Sequence, residues 1–284
     1  MIRLADAGDN WRIETEMVGF PVYLDNHTVI DLAKRNRSGL RARFLDALRG
    51  RATLLFSIAN VIEVAGPQGA SSDAVRSFLS DIGPHWIPVD MDPGSVMKRE
   101  DEGHPAPIVS ARFVKAYAHQ RLTELEVSGQ PVNISDSTLF DLGKFVDWTK
   151  ERRTQIRANT DQMDTTLANH LIALRKFYDA GIRGIDAIEG NPLLPDKRAT
   201  YVMEQLSRMV IQEAKSHPFA RRDSLDMCHA VIAIAYAVLA TLDKKWCRRA
   251  NALRHKDRLA TVYHGGQLEE FVTAFETRNY ILAG

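Results

Sequence analysis

The chain has 284 residues with 37 Lys plus Arg against 36 Asp plus Glu, a formal charge of +1. This balance excludes a polybasic chain held to nucleic acid by bulk charge, and equally an acidic disordered tail. With 45% hydrophobic and 26% charged residues the composition is that of a folded globular protein, long enough for two modest domains or one core with a large insertion. Two cysteines, Cys228 and Cys247, make no disulfide framework and fit a reducing compartment. The start MIRLADAGDNWRIETE lacks an apolar signal region, and the apolar stretch Met227 to Leu242 is interrupted by His229 and flanked by acids. A soluble, cytoplasmic protein without a membrane partner is expected.

Residues 1–17 read as a lead-in. Phe20 to Asp25 (FPVYLD) is a short apolar run ending in an acid, the pattern of a buried strand. A helix is predicted over Thr28 to Lys34, broken by Gly39, and another over Leu40 to Leu48, ended by Gly50. Thr53 to Ile58 reads as a second strand, running into a short helix that Gly66 and Pro67 stop. A further helix covers Ala70 to Ile82, capped by Ser71 or Ser72, and His85 to Asp90 is a third strand. Strands alternating with helices predict a parallel sheet covered on both faces.

From about Gly94 to Ser216 the pattern is helical only. Met163, Leu167, Leu171, Leu174 and Tyr178 recur at helical spacing; Leu139, Leu142 and Val146 form another stripe, and Val202, Leu206 and Met209 a third. Breaks fall at Gly129–Pro131, Gly181–Gly184 and Gly190–Pro195. These stripes require burial on each other, on the sheet, or in a second copy of the chain, which leaves a homo-oligomer open. The α/β pattern resumes after Pro218, with a buried helix (Leu225 to Tyr236), strands over Val238 to Asp243 and Leu259 to His264, and a closing helix over QLEEFVTAF. The expected organisation is therefore an α/β core, 18–93 and 218–284, interrupted by a helical insertion, 94–217.

Four acids stand at the strand ends of this scheme. Asp25 ends the first strand, Glu63 lies about a helical turn beyond the second, Asp226 opens the buried helix and Asp243 ends the fourth strand. In an open parallel sheet, strand C-termini share one edge, and ligands bind there where the strand order reverses. Carboxylates meeting in a poorly solvated cleft repel one another unless cations lie between them, and such hard oxygen donors suit Mg²⁺ or Mn²⁺. One or two such ions can activate water and stabilise a leaving oxygen in phosphodiester hydrolysis.

The segments VYLDNHTVIDLA, SIANVIEVAG, DSLDMCHAVIAIAYAVLATLDKKW and ATVYHGGQLEEF, in this order, resemble the PIN domain, a metal-dependent nuclease superfamily. The resemblance covers approximately residues 18–93 and 218–280. It implies a three-layer α/β/α sandwich and a ribonuclease preferring single strands, with Asp25, Glu63, Asp226 and Asp243 as catalytic and metal-binding acids and Asp223 as an outside candidate. Two features depart from the family. The polar pair after the first acid, usually Thr or Ser then Asn, is Asn26 and His27, and the helical block has no counterpart in compact members. Asn26 and His27 remain able to support a ligating carboxylate. A non-catalytic PIN-like module binding nucleic acid or protein is the alternative reading. A toxin of a toxin–antitoxin pair is a third, against which the extra helices speak.

Each residue also has a plainer reading. An Asp after a strand caps the next helix, and Asp223, Ser224 and Asp226 compete for one such cap. His229, three residues beyond Asp226, shares its helix face and could touch the site, but reads first as a core histidine with its hydrogen bonds made. Directly after Asp243, the segment Lys244 to Arg258 holds Lys244, Lys245, Arg248, Arg249, Arg254, Lys256 and Arg258 against Asp257 alone. It is read either as a solvated helix face or as a phosphate-binding patch, led by Lys244, Lys245, Arg248 and Arg249, with Trp246 or Tyr263 stacking a base of RNA. Arg152, Arg153 and Arg157 make a similar case in the insertion, for which a lid or side wall on the cleft is expected. No GxxxxGKS, HExxH, paired CxxC or GxSxG motif is present, so nucleotide hydrolysis, zinc proteolysis and serine esterase chemistry have no support.

Overall fold

A computed structural model of the chain describes residues 2–6, 11–66, 72–110, 112–127, 140–213 and 219–278. The cap at Ser71, the stripe member Leu139, the break at Gly129–Pro131 and the restart at Pro218 lie outside these residues. The lead-in is a hairpin of two antiparallel strands, β1 (Ile2–Asp6) and β2 (Trp11–Thr15). Their alternating sequences, IRLAD and WRIET, carry the period-two signal of a half-buried ribbon. Ile2 is buried and Ile13 packs on the main core.

Five strands form the central sheet: β3 (Phe20–Tyr23), β4 (Ala52–Ser57), β5 (Trp86–Val89), β6 (Leu239–Leu242) and β7 (Thr261–His264). Their order is β5-β4-β3-β6-β7 and every pairing is parallel. The chain builds outward from β3 through β4 to β5, then returns to the other side of β3 with β6 and β7. Strand order therefore reverses between β3 and β6, and Asp25 and Asp243 follow those two strands.

The pleat sorts the strand residues into two clusters, one per face. Phe20, Val22, Leu54, Phe56, Trp86 and Leu239 join the first, and Tyr23, Leu55, Ile87, Val89, Ala240 and Leu242 the second. Helices α1 (Asn26–Ala33), α2 (Ser38–Arg51), α3 (Ile58–Val64) and α4 (Ser72–Ile82) follow the early strands. Of these α1, α2 and α4 cover the first face, where Phe44 meets Phe78, Phe271 and Phe275 ring to ring. The two glycines expected to bound α2 do not. The break falls at Lys34, whose extended backbone ends α1, and a 3₁₀ turn, Arg35–Arg37, leads into α2. Gly39 and Gly50 then lie in the first and last turns of α2, where the missing Cβ costs a helix least.

Residues 94–217 contribute no strand among the described residues, only an isolated bridge between Val89 and Val109. Their helices are α5 (Pro93–Asp101), α6 (Arg112–Val127), α7 (Leu142–Glu151), α8 (Arg153–Asp179) and α9 (Arg198–Gln212). They divide between the two faces instead of standing apart. Tyr117 of α6 and Phe145 and Trp148 of α7 bury on the first, and Val96 of α5 and Val202, Leu206 and Val210 of α9 on the second. α8 bridges them. Its Ile156 belongs to the first cluster while Leu167, Ala168 and Leu171 belong to the second, with Met163, Leu174 and Tyr178 packed alongside. At 1.5 Å per residue this helix is about 40 Å long, enough to span the layers.

The chain closes with α10 (Arg221–Tyr236), α11 (Lys244–Asn251) and α12 (Leu268–Thr277). α10 is buried along its apolar length, Met227 to Ala237. The result is a parallel sheet with helices on both faces, as a three-layer α/β/α sandwich requires. Among the described residues no helix is long and apolar enough to cross a membrane.

Candidate metal centre at the sheet switch point

Asp25, Glu63, Asp226 and Asp243 line one cavity of 180 Å³, together with Asn26, His27, His229, Leu242 and Trp246. Chain positions more than two hundred residues apart are thus gathered at the edge where strand order reverses.

Each carboxylate is placed by local structure. Asp25 caps α1: its Oδ1 accepts from Thr28 N–H (2.9 Å) and from the Thr241 hydroxyl (3.1 Å), which itself accepts from Asp25 N–H (3.1 Å). The end of β3 is thereby tied to β6. Asp243 caps α11 in the same way, its Oδ1 accepting from Trp246 N–H (2.8 Å). Capping and ligation are compatible here, because each cap uses Oδ1 and leaves Oδ2 outside those bonds. Glu63 projects from α3 and accepts from the Asn26 side-chain amide. Asp226, in the second turn of α10, makes no side-chain hydrogen bond or ion pair among the described residues.

That difference in support shows in the proton affinities. Burial, with the charges of Asp243, Glu63 and Asp223 added, pushes Asp226 up to about 7. Burial also raises Glu63; the Asn26 hydrogen bond opposes it, Asp25 adds to it, and Arg157 on α8 lowers it. The bridging helix therefore runs close enough to the cavity for its charge to be felt there.

Asp223 stands apart from the other acids. Its Oδ2 accepts from Ala220 N–H (2.8 Å) at the start of α10 and its Oδ1 pairs with Lys245 Nζ (3.1 Å), so it is a cap and ion-pair partner that does not line the cavity. Ser224 is buried and donates to Asp164 of α8. His27 lines the cavity mouth with its ring exposed, its Nε2 3.6 Å from Asp31.

The basic segment is split by its helix. Lys244 and Arg248 are exposed, and with Lys245 they line a neighbouring 560 Å³ cleft that His264 and Gln267 complete. Arg249 faces inward and is 4% exposed; its guanidinium pairs with Glu213 and lies 4.3 Å above the Trp246 ring. Trp246 is buried under it at 1%. The expectations that Arg249 contacts phosphate and Trp246 stacks a base are thus corrected: both are core side chains of α11. Tyr263 packs edge-on against Phe271. Of the insertion's arginines, Arg152 lies 4.7 Å over the Trp148 ring and donates to Gln120 (2.7 Å).

A polar chain that local spacing did not reveal joins the two sides of the cavity. Tyr23, fully buried on β3, contacts both Asn60 Oδ1 (3.2 Å) and His229 Nδ1. Asn60 holds the N-terminus of α3 through Ser57 and donates to Asn26 Oδ1 (3.1 Å), and Asn26 donates to Glu63. The signal available in sequence was Asn26 itself, an amide able to pass polarity from one neighbour to another.

The donor set suits a divalent cation in kind. Four carboxylates of one sign share a small cavity, and the proton affinities of two of them are raised in the direction that a cation would reverse. As placed, no group of three or more His, Cys, Asp or Glu among the described residues is set to hold a metal ion, so ligation requires these side chains to draw together. Comparisons with protein-family models, with curated proteins and with solved structures find no match to this chain.

Proposed function

We propose that the chain is a divalent-metal-dependent nuclease of PIN-like type, hydrolysing phosphodiester bonds in single-stranded RNA. The observation that carries this reading is the convergence of Asp25, Glu63, Asp226 and Asp243 on one cavity at the sheet's switch point. Asp25, Glu63, Asp226 and Asp243 would hold Mg²⁺ or Mn²⁺, which would supply charge neutralisation and an activated water for attack at phosphorus. The caps at Asp25 and Asp243 each anchor one carboxylate oxygen, and Asn26 donates to Glu63. No side-chain nucleophile is needed. The exposed Lys244 and Arg248, with Lys245, supply positive charge for the flanking phosphates beside the acidic cavity.

A specific observation favours the alternative, a non-catalytic PIN-like binding module: the acids as placed form no metal-holding group. Incubation of the purified chain with single-stranded RNA separates the two. Divalent-dependent cleavage, abolished by chelator and in Asp25→Asn, supports the nuclease. Binding of RNA that is equal with and without metal, with no cleavage, supports the module.

A further inference from the structure

His229 is the second independent feature of the acidic cavity. The imidazole lines it, is 7% exposed, and has a buried Nε2 with no hydrogen-bond partner. A buried ring nitrogen left unpaired is destabilising, so the position calls for a partner that the protein itself does not provide.

The network around the ring decides what Nε2 can offer. Asn60 is oriented by Ser57, whose N–H donates to Asn60 Oδ1 (3.0 Å), which leaves Nδ2 as the donor to Asn26. The Tyr23 hydroxyl has one proton and two neighbours, Asn60 Oδ1 and His229 Nδ1. Given to His229, that proton would leave two oxygen lone pairs facing each other across the 3.2 Å between Tyr23 and Asn60. Given to Asn60, it leaves a Tyr23 lone pair to accept from Nδ1–H, and both contacts are hydrogen bonds. Every donor then points one way, from His229 through Tyr23, Asn60 and Asn26 to the Glu63 carboxylate. The chain starts at an imidazole whose Nε2 carries a lone pair. Buried and with no acceptor at Nε2, the ring favours its neutral form. A neutral imidazole with its other nitrogen donating to a fixed acceptor is the form in which histidine ligates metal.

We propose that His229 is a nitrogen donor to the cation of this cavity, added to its carboxylates, and that it turns the site from Mg²⁺ toward Mn²⁺. The inference rests on the reading of the cavity as a cation site. Carboxylates alone serve Mg²⁺ and Mn²⁺ alike, whereas imidazole is a ligand for first-row transition ions and a poor one for Mg²⁺.

The test uses the full chain with Mn²⁺ and Mg²⁺ as probes and reads binding directly. Isothermal titration is expected to give tighter Mn²⁺ than Mg²⁺ binding in the native chain. In His229→Gln, Mn²⁺ affinity falls about 10-fold or more while Mg²⁺ affinity changes much less. Electron spin echo modulation of the Mn²⁺-loaded native chain is expected to show coupling to a ¹⁴N nucleus, a readout that needs no variant to fold. Bound Mn²⁺ without nitrogen coupling, or an unchanged ion preference in folded His229→Gln, overturns the assignment of His229 and leaves the carboxylate site standing. Binding of neither ion to the native chain overturns the cation site and this inference with it.

Discussion

Two places in this fold hold acids at helix ends, and they are built on opposite terms. Glu100, at 2% exposure on α5, meets the first turn of α9: it accepts from Ala199 N–H (2.9 Å), from Thr200 N–H and hydroxyl (both 2.8 Å) and from the Tyr236 hydroxyl (2.8 Å). Helices α9 and α10 are both pinned to it, and its charge sits against the positive end of a helix. At the switch point, Asp226 has no such donors and faces acids of its own sign. A satisfied carboxylate is a structural joint. A carboxylate without donors beside others of its own sign is destabilising, and a bound cation would relieve that repulsion. The two places differ in the partners of their acids: Glu100 is met by four donors, and Asp226 by none among the described residues.

Removing each acid should separate the two roles. The largest effect is expected for Glu100→Ala, about 4 kcal/mol of unfolding free energy by denaturant titration, because four donors are left without a buried charged acceptor together. Its Mn²⁺ affinity, measured under conditions where it remains folded, should match the native chain. For Asp25→Asn the reverse is expected: metal-dependent cleavage falls about 100-fold or more, since loss of a ligand exceeds the loss of a supporting partner, while the α1 cap survives through the amide oxygen.

Asp226 supplies the sharpest contrast, through pH. Its folded value of about 7 lies above the ordinary 3.8. Between these values the folded chain keeps a proton that the unfolded chain has released, so metal-free stability should fall as pH rises from about 4 to 7 and level off above. Asp226→Asn should flatten that slope and stabilise the metal-free chain at pH 8 by about 2 kcal/mol, allowing for solvent screening. Chemical denaturation at pH 5 and pH 8 checks both signs. A smaller effect is expected at the basic cleft. Lys244→Glu should lower the slope of log affinity for single-stranded RNA against log salt by roughly 0.7 for each phosphate it no longer neutralises, read from affinity at two salt concentrations. Arg249→Ala should leave that slope unchanged and lower stability instead, as the side chain is buried, pairs with Glu213 through Nη2 and lies over Trp246.

How far the sequence could reach follows from where each signal lies. The buried strands were legible because FPVYLD and TLLFSI are continuous apolar runs, and the acids because each follows a strand or begins a helix. The hairpin Ile2–Thr15 carried an equally clear alternation, but its polar half obscured it beside the apolar runs further on. Gly39 and Gly50 misled because a glycine in a terminal turn weakens a helix too little to stop it. His229 could not be assigned from its own helix, since the residue that fixes its tautomer, Tyr23, arrives from 206 positions away. Arg249 looked like a surface cation until Glu213, from the helical block, drew it inward.

The claim at the centre is that Asp25, Glu63, Asp226 and Asp243 form one cation site. Anomalous diffraction from crystals of the full chain grown with Mn²⁺ tests it most directly. A manganese peak is expected among these four carboxylates, and a cavity without manganese beside an occupied site elsewhere on the chain would contradict the cation site.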